Sequence, residues 1–339
     1  MKKPIILLVS LLLLMTSCKR NPLKIDVSEV PVEIEFKRFE ADLFNLSLDS
    51  LDHALPRLEE QYGTFLTLFG YLINIGEPEN PLYTDFLRAF VTDRVNYEAY
   101  QETMRVFPDL NGLKEDIIRA FQYYHYHFPG KDIPDLYTFI SGFNASILVD
   151  TSILAIGLDR YLGSNYETYE RMGIPNYVRI NMVPDKILSD CVFAWGSTEF
   201  TMEGETGQEV SDNVLNNMLF EGKLRYFVKA MIPDEPDHLI MGFSPEQMQW
   251  CQENEAAMWT YLVENKLLFN TDHLTIRKLT GEAPFTSFFP KESPGKAAVW
   301  LGWQIIENYV ERHPGTTLEE LMANVGYQDI LNGARYNPE

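Results

Sequence analysis

His125 and His127 flank Tyr126 and are the most closely spaced pair among the chain's six histidines. A helix that holds zinc offers two imidazoles at i and i+4, stacked one turn apart on one face. A spacing of two turns the side chains about 200° apart on a helix and brings them to one face only in extended chain. The pair therefore reads as the end of an aromatic-rich helix. His53, His238, His273 and His313 stand alone. His313 precedes Pro314 and Gly315, at a helix end where a positive charge suits the dipole. No His-Glu-x-x-His occurs, nor any Gly-x-Ser-x-Gly. Ser141 and Ser146 have no histidine beside them in sequence, although triads assemble from distant positions. With 49 acidic residues, a glycosidase-like carboxylate pair can be drawn almost anywhere, and none stands out. Glycine-rich phosphate loops are missing too. No catalytic motif emerges and no cofactor is called for.

The three cysteines have different prospects. Cys191 and Cys251 sit at unrelated spacing and read as free buried residues, with a disulfide between them left open by an exported setting. Cys18 follows Met15-Thr16-Ser17, the small residues a signal peptidase needs. Met1, Lys2 and Lys3 make a positive start, and the apolar run from Ile5 to Met15 would rise only about 15–17 Å as a helix, against a hydrocarbon core of roughly 30 Å. It is too short to span. The stretch ending at Cys18 resembles the lipobox of bacterial lipoproteins, in which cleavage precedes the cysteine and its thiol and new amino group take acyl chains, palmitate among them. Residues 1–17 are then a cleaved signal, 18–31 a lipidated tether and 32–339 a single domain. The anchor would be lipid, at about 0.8 kcal/mol per buried methylene.

Composition narrows the partners. Twenty-eight basic against 49 acidic residues leave −21, and losing Lys2 and Lys3 with the signal would leave −23. A surface that acidic repels nucleic acid and anionic headgroups. An apolar content of 45% over this length supports a sizeable core.

The elements that must position any site follow from periodicity. Val32 to Phe39 alternates apolar and charged residues as a strand would. Leu48–Leu72, Leu82–Asp93, Tyr97–Phe107 and Leu113–Tyr126 carry helical spacing, the first disturbed by Pro56. Leu136–Phe143 and Ser146–Leu158 read as strands joined in a hairpin across an Asn-containing turn. Helices return at Asp185–Trp195, Val214–Met231, Pro245–Glu264, Ala297–His313 and Leu318–Asn324, with Ser244 as a cap and proline at the first position of the third. Trp300 and Trp303, three apart, read as core. The class is α+β, predominantly helical around a small β-sheet.

Four blocks carry a resemblance: Leu154-Ala155-Ile156-Gly157-Leu158-Asp159-Arg160-Tyr161-Leu162-Gly163-Ser164, then Ile174-Pro175-Asn176-Tyr177, then Phe220-Glu221-Gly222, and Pro294-Gly295-Lys296 leading into Trp300-Leu301-Gly302. With the lipobox they resemble the gliding-motility lipoprotein GldB family nearly end to end. What the resemblance implies is an envelope lipoprotein associated with gliding motility and type IX secretion, with envelope proteins of that machinery as partners. The family also looks distantly like zincin metallopeptidases, whose fold would here be a zincin-like scaffold lacking His-Glu-x-x-His. In that likeness Glu221, in its Glu-Gly turn, sits where a third zinc ligand would be. Asp190 lies on the helix that should carry the histidines, Pro184 to Phe193, which has none. A lone carboxylate cannot replace two imidazoles, nor lower the pKa of a water without the metal. Glu221 then becomes a salt-bridged helix residue, with Lys223 or Arg225 nearby. Surface-exported lipoproteins of such bacteria resemble one another in acidic residues after the cysteine. Lys19, Arg20 and Asn21 depart from that, so the expectation is an outer-membrane, periplasm-facing protein rather than an inner-membrane one.

Overall fold

The computed structural model describes residues 21–204 and 209–338, so that Cys18 and the cleavage site before it lie outside the described residues. None of the described helices is long and apolar enough to cross a membrane. The stretch expected as a tether is held against the body from Asn21 onward. The Asn21 amide donates to Pro233 O, Lys24 pairs with Asp234, and Tyr123 and Gln122 donate to the carbonyls of Ile25 and Val30. Val27 is buried.

The strand expected over residues 32–39 shortens to β1 (Phe36–Arg38), and Phe39 opens α1 (Phe39–Phe44). Next come α2 (Leu51–Tyr62), α3 (Thr64–Leu72), α4 (Tyr83–Thr92), α5 (Arg94–Val106) and α6 (Asn111–His127). The expected helix over 48–72 is divided by Gly63, whose φ of 46° no helix continues through. Then follow β2 (Asp135–Phe139), β3 (Ile147–Asp150) and β4 (Ile153–Gly157), in the order β1-β2-β4-β3. The β1/β2 and β2/β4 pairs are parallel and β3/β4 is antiparallel. The expected hairpin across Asn144 is thus corrected: the hairpin turns at Thr151 and Ser152, inside what reads as one long strand. Two polar residues suffice for such a turn, and apolar content alone hides it.

The sheet separates two cores. Tyr137, Phe139, Ile153 and Ala155 face the aromatic cluster of α1–α4, where Phe39, Phe65 and Phe69 meet edge-on and stacked. Leu136, Leu154 and Ile156 face a larger core built by the remaining helices. These are α5 and α6, together with α7 (Glu167–Arg171), α8 (Asn176–Arg179), α9 (Ile187–Glu199), α10 (Val214–Met231), α11 (Asp237–Met241), α12 (Pro245–Glu253), α13 (Glu255–Glu264), α14 (His273–Thr280), α15 (Ala297–Arg312), α16 (Leu318–Ala323) and α17 (Tyr327–Ala334). Ser244 caps α12 in a reciprocal box with Gln247, as its sequence predicts. The long helix expected over 245–264 breaks at Asn254 into α12 and α13.

At the centre, α10 and α15 cross backbone to backbone. A Cβ added at Gly302 would lie 1.9 Å from the Met218 carbonyl oxygen, and one at Gly222 would lie 2.4 Å from the Gly302 carbonyl carbon. Trp300 and Trp303 pack into the core beside this crossing, as expected. Gly196 does something different on α9, its missing Cβ leaving room for the Phe227 ring of α10. At the α10/α15 crossing there is no space for a side chain.

The block around Asp159 is explained by one buried carboxylate. Asp159 accepts from the backbone N–H groups of Ser141 and Phe143 and from the Ser141 hydroxyl, pinning the 140–146 loop past the C-terminal ends of β2 and β4. Tyr169 ties the same turn, donating to Asp159 O and accepting from Leu162 N–H. Burial pushes the Asp159 carboxyl up to about 6, against the pull of those hydrogen bonds.

Two outcomes follow from this packing. Gly302→Ala lowers stability in urea unfolding by roughly 3 kcal/mol, the upper range of over-packing, whereas Gly112→Ala, with open space around it, is nearly neutral. For Asp159, the unfolded chain releases the proton near 3.8 and the folded one only near 6. The contribution of Asp159 to stability therefore falls as pH rises between those values, by roughly 3 kcal/mol in total, and levels above pH 6. Unfolding free energies of the native chain and of Asp159→Asn at pH 4 and 7 measure it, the native chain losing more than the variant over that range.

Candidate functional site

Three buried cations from three elements meet at one cavity of about 260 Å³, lined among others by Lys186, Asp190, Phe193, Arg225, Glu282 and Lys296. Lys186, Arg225 and Lys296 are each less than one-tenth exposed. Two wider grooves of about 520 Å³ lie elsewhere, but their charged residues are exposed or only part-buried and gather no comparable charge.

Lys186 ends the short turn that leads into α9, and Asp190 stands one helical turn later. This is the i, i+4 spacing at which a metallopeptidase helix would present its imidazoles. Here the two side chains form an ion pair with each other. Lys186 also donates to the Ser189 hydroxyl at 3.0 Å, and the Tyr161 hydroxyl donates to the other Asp190 oxygen at 2.8 Å. Burial, and then the Asp190 charge, hold the Tyr161 hydroxyl well above its ordinary pKa.

From α10, Glu221 pairs with Arg225 at 3.3 Å, and the guanidinium lies 3.9 Å over the Phe193 ring. Of the two partners expected for Glu221, Arg225 is the one it meets. Lys223 points the opposite way, fully buried, and donates to the carbonyls of Met322 and Asn324 at 3.0 and 2.9 Å. Burial lowers its pKa to about 7.

Lys296 is placed by the turn before α15. Thr286 clamps that turn, donating to Pro294 O at 2.8 Å and accepting from Ala297 N–H at 2.9 Å. A Cβ at Gly295 would lie 2.2 Å from Ala283 O, and Lys296 itself takes a left-handed φ of 50°. Such a backbone is uncommon for a residue with a side chain, and here it turns the ammonium onto Glu282. The Glu282 side chain is 62% exposed; the protein packed around it lifts its carboxyl, but Lys296, Arg225 and Lys186 together hold it below its ordinary value. Burial lowers the Lys296 ammonium, with Arg225 and Lys186 adding to the fall and Glu282 opposing it. The three cations thus sense one another across the cavity.

The two carboxylates marked in the sequence do converge: Asp190 lines the cavity, and Glu221 reaches it through Arg225. They do not form a zinc donor set. Asp190 is held by Lys186 and Tyr161 and Glu221 by Arg225. Among the described residues no group of three or more His, Cys, Asp or Glu could hold a metal ion. His125 and His127 lie in the last turn of α6, where helical geometry points them apart, each with one buried ring nitrogen lacking a partner. Cys191 and Cys251 are buried and free, so the disulfide left open by the sequence is not formed. Lys186, Lys296 and Glu282 went unmarked. The usable signal was Lys296, a charged residue leading directly into an apolar helix that must be buried.

The model of a family described as gliding motility protein GldB matches residues 20–338. No curated protein and no solved structure matches the chain.

Asp190→Leu leaves the buried Lys186 charge unpaired and lowers stability by roughly 3 kcal/mol. Lys186→Met costs less, because Asp190 is 28% exposed and keeps the Tyr161 hydroxyl, and the double variant loses clearly less than the sum. Urea unfolding of the four proteins measures this coupling.

Proposed function

This chain belongs to the gliding motility protein GldB family, and from that membership we propose that it is an envelope lipoprotein which works by binding rather than by catalysis. Acyl chains on Cys18 anchor it in the outer membrane with the body facing the periplasm. There it binds or stabilises proteins of the gliding and type IX secretion machinery. Its scaffold is a zincin-like one whose catalytic ligands have been replaced.

One observation carries the non-catalytic reading. The residues that would hold and surround a metal are spent on internal ion pairs, Lys186 with Asp190, Arg225 with Glu221 and Lys296 with Glu282. Each carboxylate of that set is engaged by a cation rather than free to take a proton from a substrate. The cavity keeps the shape and charge of a recognition site.

Mild crosslinking in cells followed by isolation of the lipidated chain recovers envelope proteins of the motility or secretion apparatus, and Cys18→Ala loses most of them. A clean isolation from the native chain would refute the binding role. Mass spectrometry of the purified protein supplies the other check. Stoichiometric zinc that vanishes in Glu221→Ala would replace this reading with a metallopeptidase.

A further inference from the structure

Lys186 and Lys296 have their partners, but Arg225 does not have all of its own. Its Nε and Nη1 are buried with no hydrogen-bond partner, although the side chain is only 5% exposed. The approach of Nη1 to Glu221 is an ion pair that meets no hydrogen-bond geometry. The guanidinium stacks on Phe193, and Arg225 lines the cavity. Buried charged donors are rarely left unmade, because their desolvation goes uncompensated. A missing acceptor is the simplest account of them.

The remaining wall says what kind of acceptor. Val178, Ile240 and Met241 give it an apolar side and Tyr177 an aromatic one. Asp190 and Glu282 line the same cavity, so a phosphate, with nearly two negative charges, meets more repulsion than a carboxylate with one. The volume, about 260 Å³, is below the range typical of drug-sized ligands. It suits one terminal residue rather than a long segment.

We propose that this cavity is a binding site for a carboxylate carrying a small apolar side chain, such as a peptide C-terminus or a free acid, with Arg225 as its anchor. The proposal rests on the reading that the chain works by binding, and it names the chemistry bound. Arg225 takes the carboxylate as a planar, permanently charged donor, while Glu221 competes for the same guanidinium.

Calorimetry on the full-length chain in detergent tests this with N-acetyl-leucine, N-acetyl-leucinamide, acetyl-Ala-Ala-Leu and inorganic phosphate. The acid binds, and the amide binds at least about ten-fold more weakly. Arg225→Lys, which keeps the charge and loses the fork, weakens the acid by roughly ten-fold. Glu221→Gln, which removes the competitor and leaves Arg225 in place, strengthens it several-fold. A thermal melt of each variant establishes that it is folded. Tighter binding of the tripeptide than of the single residue assigns the ligand to a peptide terminus, and equal binding to a free acid; both support the site. Equal binding of acid and amide, phosphate as tight as the acid, no acid binding at about millimolar concentration, or an affinity indifferent to both substitutions would overturn it. None of these failures touches the crosslinking result, because partners can dock on another face. Conversely, a clean isolation from cells leaves a measured carboxylate affinity intact.

Discussion

The contact of Gly222 with Gly302 sets the geometry on which the C-terminal half depends. With no side chain on either residue, α10 and α15 meet at their backbones, and dispersion between close-packed main chains replaces the interlocking of side chains. That approach fixes what lies nearby along each helix. Arg225 comes three residues after Gly222, so it leaves α10 on much the same face. Lys296 comes six residues before Gly302, at the point where α15 begins. A methyl group inserted at the crossing would push the helices apart and move both cations relative to α9. The cavity is therefore a consequence of two glycines that do not line it.

Much of this architecture is written in local pattern. The helix over Val214–Met231 and the Ser244 cap follow from spacing and capping chemistry alone. The failures share a cause: Gly63, Asn254 and the Thr151-Ser152 turn are one or two residues long, too short to interrupt an apolar periodicity that continues on both sides of them. The site was legible only in part. Asp190 and Glu221 stood out through a family likeness, and Arg225 as one of two neighbours offered to Glu221, but Lys186 as the partner of Asp190 did not. Lys186, Arg225 and Lys296 come from three elements more than thirty residues apart, and each alone reads as an ordinary solvated cation. Their burial is a property of the packing, which no window of sequence contains.

The exterior and the cavity have opposite electrostatic characters. Acidic residues outnumber basic ones across the chain, yet three cations are drawn inside and held there by carboxylates from neighbouring turns. An anion approaching the cavity crosses an unfavourable field that salt screens over about 8–10 Å. Only contact within the cavity rewards it. Such an arrangement slows encounter while leaving short-range recognition strong, and so favours discrimination over speed.

The segment from Asn21 to Val30 is laid along α6 and the turn after α10 by hydrogen bonds and one buried valine. If Cys18 carries the acyl chains, the link between lipid and folded body is two residues, Lys19 and Arg20, and Cys18 lies within about 10 Å of Asn21. A long leash would let the body sweep a hemisphere and sample partners well away from the bilayer. So short a link confines it to a thin shell and leaves it little besides lateral diffusion and rotation about the membrane normal. Encounters with neighbours in the same membrane then occur at a high effective concentration, whereas a target fixed deep in the aqueous compartment lies beyond its range.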